Sequence, residues 1–235
     1  YGPDRTLGSA RIVVPMVVAL TRPSSVLDVG CGRGAWLSAF REQGIDKILG
    51  LDGDYIKPST LLIPTDRFCP TDLSGEFQIP LGRFDLAVCL EVAEHLPARN
   101  ARHLVAQLTS AAPQVLFSAA PPGQGGGGHI NCQPLSYWRK LFEALGFRML
   151  DPLRPRLRDN RQVEWWYRQN LVLFASPEAI NDNPALADCE EVPSGLESEW
   201  VYMWVAGPQS WPATSERTLT RRILQRAKKA LRSNS

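Results

Sequence analysis

An open α/β fold, doubly wound, with a mostly parallel sheet and helices on both faces, is what the sequence predicts. Three observations carry this. Short runs that are mostly apolar, without alternation, recur at Val26–Val29, Ile48–Leu51, Leu86–Leu90 and Val115–Ser118. Helix-like segments separate them. A glycine-rich turn, Gly30-Cys31-Gly32-Arg33-Gly34, follows the first run directly and opens an amphipathic segment from Ala35 to Gln43. Strands that are apolar along their whole length, rather than at alternate positions, belong to sheets covered on both faces.

The elements follow in order. Ile12–Leu20 is apolar, but Pro15 interrupts it and no small-residue cleavage pattern comes after, so it reads as a covering helix rather than a signal peptide. The second strand ends in the acid Asp52, about twenty residues beyond the glycines, where a carboxylate can accept both hydroxyls of a ribose. Arg99–Ser110 reads as a helix ended before Pro113, and Pro121–Gly128 as a flexible loop. Ser136–Leu145 is helical, with Tyr137, Leu141 and Leu145 on one face and Gly146 as its stop. Phe147–Leu150 and Asn170–Ala175 are the last two strands. Between them lie Arg154, Arg156, Arg158 and Arg161, then Trp165-Trp166-Tyr167. The arginines together suit an anionic, phosphorylated or nucleotide-linked acceptor and the aromatic faces a sugar ring, although each arginine alone reads as part of an exposed hairpin.

At 235 residues and 44% hydrophobic, the chain can bury one α/β core and carry an appendage. No apolar stretch approaches the roughly twenty residues of a membrane span. The five cysteines are odd in number and lack C-x-x-C spacing, which favours reduced thiols and a cytoplasmic setting over disulfides or a zinc site. The chain begins at Tyr1 rather than methionine, which leaves a longer native N-terminus open. After Ser215, seven basic side chains face Glu216 alone, whereas the whole chain carries only +2. The body is therefore slightly acidic, which argues against a general nucleic-acid binder. Three regions result: a domain over 1–176, an acidic proline-bearing linker over 177–214, and a basic amphipathic helix over 215–235. That helix, with Leu219, Ile223, Leu224, Ala227 and Leu231 on one stripe, suits an anionic membrane surface or a partner enzyme as well as its own domain.

The run VLDVGCGRG, the acid of LGLD, the acid of TDLS and the segment FDLAVCLEVAEHL agree in order and spacing with one family. The chain resembles the class I S-adenosylmethionine-dependent methyltransferases from about Val26 to Ser176. The resemblance implies a Rossmann-like sheet of seven strands with an antiparallel hairpin at its edge. It also implies that Asp28, Gly30, Cys31, Gly32 and Gly34 serve the methionine part of the cofactor. Asp52 and Gly53 would serve its ribose, Asp72 and Leu73 its adenine, and Leu90 and Glu91 the region of the transferred methyl. A plain turn and a helix cap are what the glycines and Asp52 would otherwise be. Asp54 departs from the neutral or hydrophobic residue many relatives carry there.

Chemistry beyond cofactor binding falls on few residues. His129, after the glycine loop, can accept a hydroxyl proton at neutral pH, or cap the next helix. His95 and Glu91 are the other catalytic candidates, although in such relatives the histidine of EVAEHL mostly supports the loop beneath the cofactor. The run GHIN, Tyr137-Trp138 and WWYRQNLVLF resemble methyltransferases of bacterial surface-glycan assembly. The resemblance places the acceptor against His129, Asn131, Tyr137, Arg158, Trp166 and Tyr167, and implies O-methylation of a sugar or other small acceptor with no metal. Two other readings stay open. Glu91, Glu94, His95 and His129 resemble the metal-holding set of RNA ribose methyltransferases, a sensible ligand set for Mg²⁺, Mn²⁺ or Fe²⁺. The fold can also keep its ligand without chemistry, as a scaffold or regulator.

Overall fold

The computed structural model describes residues 3–79 and 82–189. Helix α1 (Pro3–Thr21) leads into strand β1 (Ser25–Val29), helix α2 (Ala35–Glu42) and strand β2 (Lys47–Asp52). Strands β3 (Phe68–Pro70) and β4 (Leu86–Leu90), helix α3 (Ala101–Ala111), strand β5 (Gln114–Ser118) and helix α4 (Leu135–Glu143) come next. Strand β6 (Arg148–Leu150), helices α5 (Arg154–Leu157) and α6 (Trp165–Asn170), strand β7 (Val172–Ala175) and helices α7 (Pro177–Asn181) and α8 (Pro184–Ala187) complete the described fold.

The strands form one seven-stranded sheet in the order β3-β2-β1-β4-β5-β7-β6. β1 pairs in parallel with β2 (Val26 beside Ile48) and with β4 (Val26 beside Leu86), and β4 in parallel with β5. The hairpin implied for the far side is present: β7 runs antiparallel to β6 and inserts between it and β5, again antiparallel. The order reverses at β1 and β4, so a crevice opens at the C-terminal ends of those strands.

Each central strand feeds two cores. Val26, Leu86, Val88 and Leu116 point to one side, where Val13, Val14 and Val17 of α1 and Leu37 and Phe40 of α2 cover them. Leu27, Val29, Ala87, Cys89, Val115 and Phe117 point to the other, beneath Leu104 and Leu108 of α3 and Trp138 and Phe142 of α4. This double coverage is why the strands are apolar without alternation. Pro15 does not break α1; it lies on the exposed face, where the carbonyl it leaves unpaired can bond to water.

Three differences from the sequence reading have local causes. β3 is only three residues long, pairs with β2 alone and ends in Pro70, too short to leave a pattern. The strand read from Asn170 begins at Val172, because residues 165–170 wind into α6, which buries Trp166 and Tyr167 in the core shared with α1 and α2. The irregular linker expected after residue 176 begins instead with α7 and α8. Ser176 caps the first through Ala179 N (3.2 Å) and Asn183 the second through Ala185 N (3.1 Å). Asn183 Nδ2 also donates to Leu20 O (2.7 Å), and Ile180 and Leu186 are buried in the α1 side of the core. The linker beyond residue 189 and the basic segment 215–235 lie outside the described residues. Among the described residues no helix is long and apolar enough to cross a membrane.

On the α3–α4 side, Phe142 stacks on Phe174 (centroids 3.8 Å apart, 7° between planes) and meets Phe117 edge-on. Phe142→Ala is expected to lower unfolding stability by about 3–5 kcal/mol, measured by urea denaturation, because the aromatic cluster cannot collapse into the space.

Candidate active site

A cavity of about 330 Å³ lies at the crevice between β1 and β4. The glycine turn forms one wall. Gly30 N and Cys31 N donate to Leu51 O (2.7 and 3.1 Å), and Gly32 N donates to Asp52 Oδ2 (2.7 Å), so the turn is drawn onto the end of β2. Gly30 has φ 81° and packs so closely on Val92 that a Cβ would come within 2.3 Å of it, whereas a Cβ on Gly32 would meet nothing within 4 Å. Asp28 forms the floor. It is 1% exposed, its Oδ2 has no hydrogen-bond partner, and burial, with Asp52 nearby, pushes its carboxyl well above the usual range.

The opposite wall comes from the end of β4. Glu91 has φ 55°, a left-handed conformation that costs a non-glycine residue energy. Its backbone N–H bonds to Ser118 O (3.0 Å) and its carboxylate accepts from Gln124 Nε2 (2.9 Å) and Asn170 Nδ2 (3.0 Å). Asn170 also donates to Gln124 Oε1 (2.8 Å), closing a three-way network between β4, the glycine-rich loop and α6. Trp36, Trp166 and Tyr167 line the cavity, with Trp36 and Tyr167 edge-to-face at 5.1 Å.

Glu94, His95 and His129 meet at the mouth, with one ligating atom of each within 4.8 Å of the others. The two imidazoles stand edge-to-face at 4.7 Å. His95 Nδ1 is 3.2 Å from Gly128 O, and because a carbonyl only accepts, Nδ1 carries the proton and a neutral His95 keeps its Nε2 lone pair. His129 Nδ1 lies 3.7 Å from Cys132 Sγ. Gly126, at φ 145°, lets the His129 ring approach where a Cβ would stand 2.2 Å from Nε2. Desolvation first, and His95 second, hold His129 below the ordinary histidine pKa, so it is neutral at physiological pH. Both Glu94 carboxylate oxygens are buried without a well-formed hydrogen bond. Burial first, then the charge of Glu91, pushes Glu94 up to about 8.

Residues 10–151 match a family described as a methyltransferase domain. The chain belongs to this family of methyltransferase domains. A curated relative, a ubiquinone biosynthesis O-methyltransferase of Alkalilimnicola ehrlichii, is 27% identical over 178 residues, 68% of this chain and 64% of the relative. The chain thus spans less than two thirds of that relative. Among solved structures, magnesium protoporphyrin IX methyltransferase of Synechocystis PCC 6803 with bound S-adenosylmethionine is 20% identical, with a TM-score of 0.50 over 72% of this chain and 80% of that one. The methyltransferase domain of bacterial CtHen1 is 18% identical, with a TM-score of 0.53 over 73% and 98%. Both show the fold.

The methyltransferase's cavity gathers part of the expected set: Asp28, Gly30, Cys31, Gly32, Leu90, Glu91, His95, His129, Trp166 and Tyr167. The unpartnered Asp28 Oδ2 and the open backbone of Gly32 fit a cofactor that brings its own donors to this wall.

The other expected site residues lie elsewhere. Asp52 sits beside the cavity behind Gly32, followed by Gly53. Gly34 caps α2 against Ile63; Asp72 is exposed and holds Ser74; Leu73 is buried in the α3-side core. Three acceptor candidates need correction. Asn131 is buried and donates to Ala93 O (3.2 Å); Tyr137 packs on Trp138; Arg158 is exposed, outside the cavity, its carbonyl taking Arg168 Nη1. Of the neighbouring arginines, Arg154 is not open to an anion: it is 2% exposed, paired with Asp151 at 2.7 Å, and bonded to Gln169 O. Sequence reasoning missed Thr6 and Trp36, which line the cavity, and Gln124 and Asn170, which hold Glu91 at its wall; all four are ordinary helix and loop residues placed only by folding.

The elevated Glu94 pKa predicts a pH dependence of stability. An unfolded glutamate titrates near 4.5, so the folded chain holds an extra proton from there up to about 8. Stability from the neutral carboxyl is complete below this window and is lost as pH rises through it. In thermal melts between about pH 5 and about pH 8.5, wild type should lose stability relative to Glu94→Gln, whose amide does not ionise.

Proposed function

We propose that this methyltransferase transfers the methyl group to a hydroxyl of a neutral, carbohydrate-like acceptor. The observation that carries the reading is the composition of the cavity: the aromatic side chains Trp36, Trp166 and Tyr167 line it together with the acids Glu91 and Glu94 and the base His129, and Arg33 is the one Lys or Arg in the lining among the described residues. Aromatic faces suit the C–H face of a sugar, and the protonated Glu94 and the Glu91 carboxylate can donate to and accept from its hydroxyls. An O-methyltransferase among the relatives supports transfer to oxygen.

S-adenosylmethionine brings a methyl group already activated on its sulfonium sulfur, so the chain's task is alignment and proton removal. Asp52 would receive the ribose hydroxyls, and Asp28 with the backbone of Gly30 and Gly32 the methionine portion. Glu91, fixed by Gln124 and Asn170, keeps its carboxylate at the cavity wall. His129, neutral and seated against Gly126, takes the acceptor's hydroxyl proton at Nε2. A surface-glycan acceptor fits a cytoplasmic enzyme whose basic segment 215–235 meets the membrane surface or a membrane-bound partner.

A second reading has its own observation. The convergence of Glu94, His95 and His129 could hold a divalent metal, which would supply Lewis-acid activation of an acceptor hydroxyl such as an RNA ribose 2′-OH. The orphaned Glu94 oxygens fit this chemistry; Glu91 is already engaged with two amides.

Radiolabelled methyl transfer should be measured with nucleotide sugars, lipid-linked glycans, a catechol and short RNA. Methylation of a sugar hydroxyl is expected, and transfer only to the catechol or RNA would overturn the glycan reading. His129→Gln should lower kcat about 10²–10⁴-fold with the fold intact by circular dichroism, and the wild-type acid limb should fall below about pH 6.5. Activity should survive excess chelator; its loss, with recovery on adding Mn²⁺, would establish the metal reading instead.

A further inference from the structure

Tyr55 is the most exposed large apolar or aromatic side chain described, at 73%, yet its hydroxyl turns inward. It donates to Asp52 Oδ1 at 2.5 Å, the oxygen that also accepts Gly53 N at 2.7 Å. Its ring lies over Gly53 so closely that a Cβ there would sit 2.0 Å from Cε1, so the glycine is what lets the ring lie down. Oδ2 of the same carboxylate is taken by Gly32 N. Asp52 itself is 7% exposed. A short turn, with Ile56 N bonded to Gly53 O, carries the tyrosine. An exposed side chain on a tight turn thus covers a buried carboxylate and occupies its outward oxygen.

We propose that Tyr55 is a displaceable cover over the ribose-binding carboxylate: its hydroxyl stands in for a ribose hydroxyl on Asp52 and must leave for a nucleoside with a free cis-diol to bind. The proposal rests on the assignment of Asp52 to the cofactor ribose. The bond competes with the ligand, so it sets cofactor affinity and the rate of exchange of S-adenosylhomocysteine for fresh cofactor. Because nearly three quarters of the side chain is in solvent, swinging it outward uncovers the carboxylate without disturbing the core. Tyr55 touches no reacting atom; it is a positioning residue.

The test is calorimetric titration of the full chain with S-adenosylhomocysteine, on wild type, Tyr55→Phe and Asp52→Asn. Phenylalanine keeps the ring and removes only the competing hydroxyl. Tyr55→Phe should bind roughly fivefold more tightly, the equivalent of one ordinary hydrogen bond, and stopped-flow association should be faster. Asp52→Asn should bind much more weakly than wild type. Equal or weaker binding by Tyr55→Phe, with binding still lost in Asp52→Asn, would overturn the cover while leaving the ribose assignment in place. Unchanged binding in Asp52→Asn, or no binding by wild type, would overturn the ribose assignment and the cover together.

Discussion

The glycine turn after β1 is held by the end of β2, and the site depends on that attachment. Leu51 O takes two consecutive backbone N–H groups from Gly30 and Cys31, and Asp52 Oδ2 takes a third from Gly32. With three donors tied to one strand end, the turn stays open towards the crevice instead of closing over β1. α2 can then start at Ala35 with Trp36 aimed at the cavity. A carboxylate accepting backbone N–H groups in a half-dry setting is a strong interaction. It also makes Asp52 part of the architecture of the turn.

The other wall is held by a different device. Glu91 adopts a strained backbone, and two amides, from the glycine-rich loop and from α6, fix its carboxylate. A chain position with φ near 55° persists only where its surroundings over-determine it. Here three elements far apart in sequence supply that. The same contacts tether the glycine-rich loop at Gln124, while Gly128 O is held by His95. The loop therefore delivers His129 between two fixed points rather than as a free connector.

The distribution of charge follows from this scaffold. Asp28 and Glu94 are buried in one small space beside Glu91, and burial penalises the ionised forms of Asp28 and Glu94. Glu94 responds by keeping its proton, as does Asp28. His129, near the mouth, is pushed the other way and stays neutral. A site with few net charges and several hydrogen-bonding groups is suited to recognising hydroxyls.

The strand runs, the glycine turn, Asp52 at its distance and the helices α2, α3 and α4 were legible because each is a local pattern: continuous apolarity, backbone freedom, helical period. β3 and α6 were not legible, since three residues or one and a half turns leave no period to read. Nor were the site residues outside motifs. Trp36, Gln124 and Asn170 have ordinary neighbours, and Arg154 and Arg158 looked like an anion site until Arg154 proved to be buried against Asp151. By itself the sequence determined the four central strand runs and the glycine turn, because those depend on neighbours in the chain; the seven-stranded arrangement came with the family resemblance. Only the tertiary structure decided which aromatics wall the cavity, that Glu91 is clamped by two amides and that Tyr55 lies on Asp52. Those contacts join segments whose approach depends on how α1, α6 and the loops pack, and no local pattern encodes that.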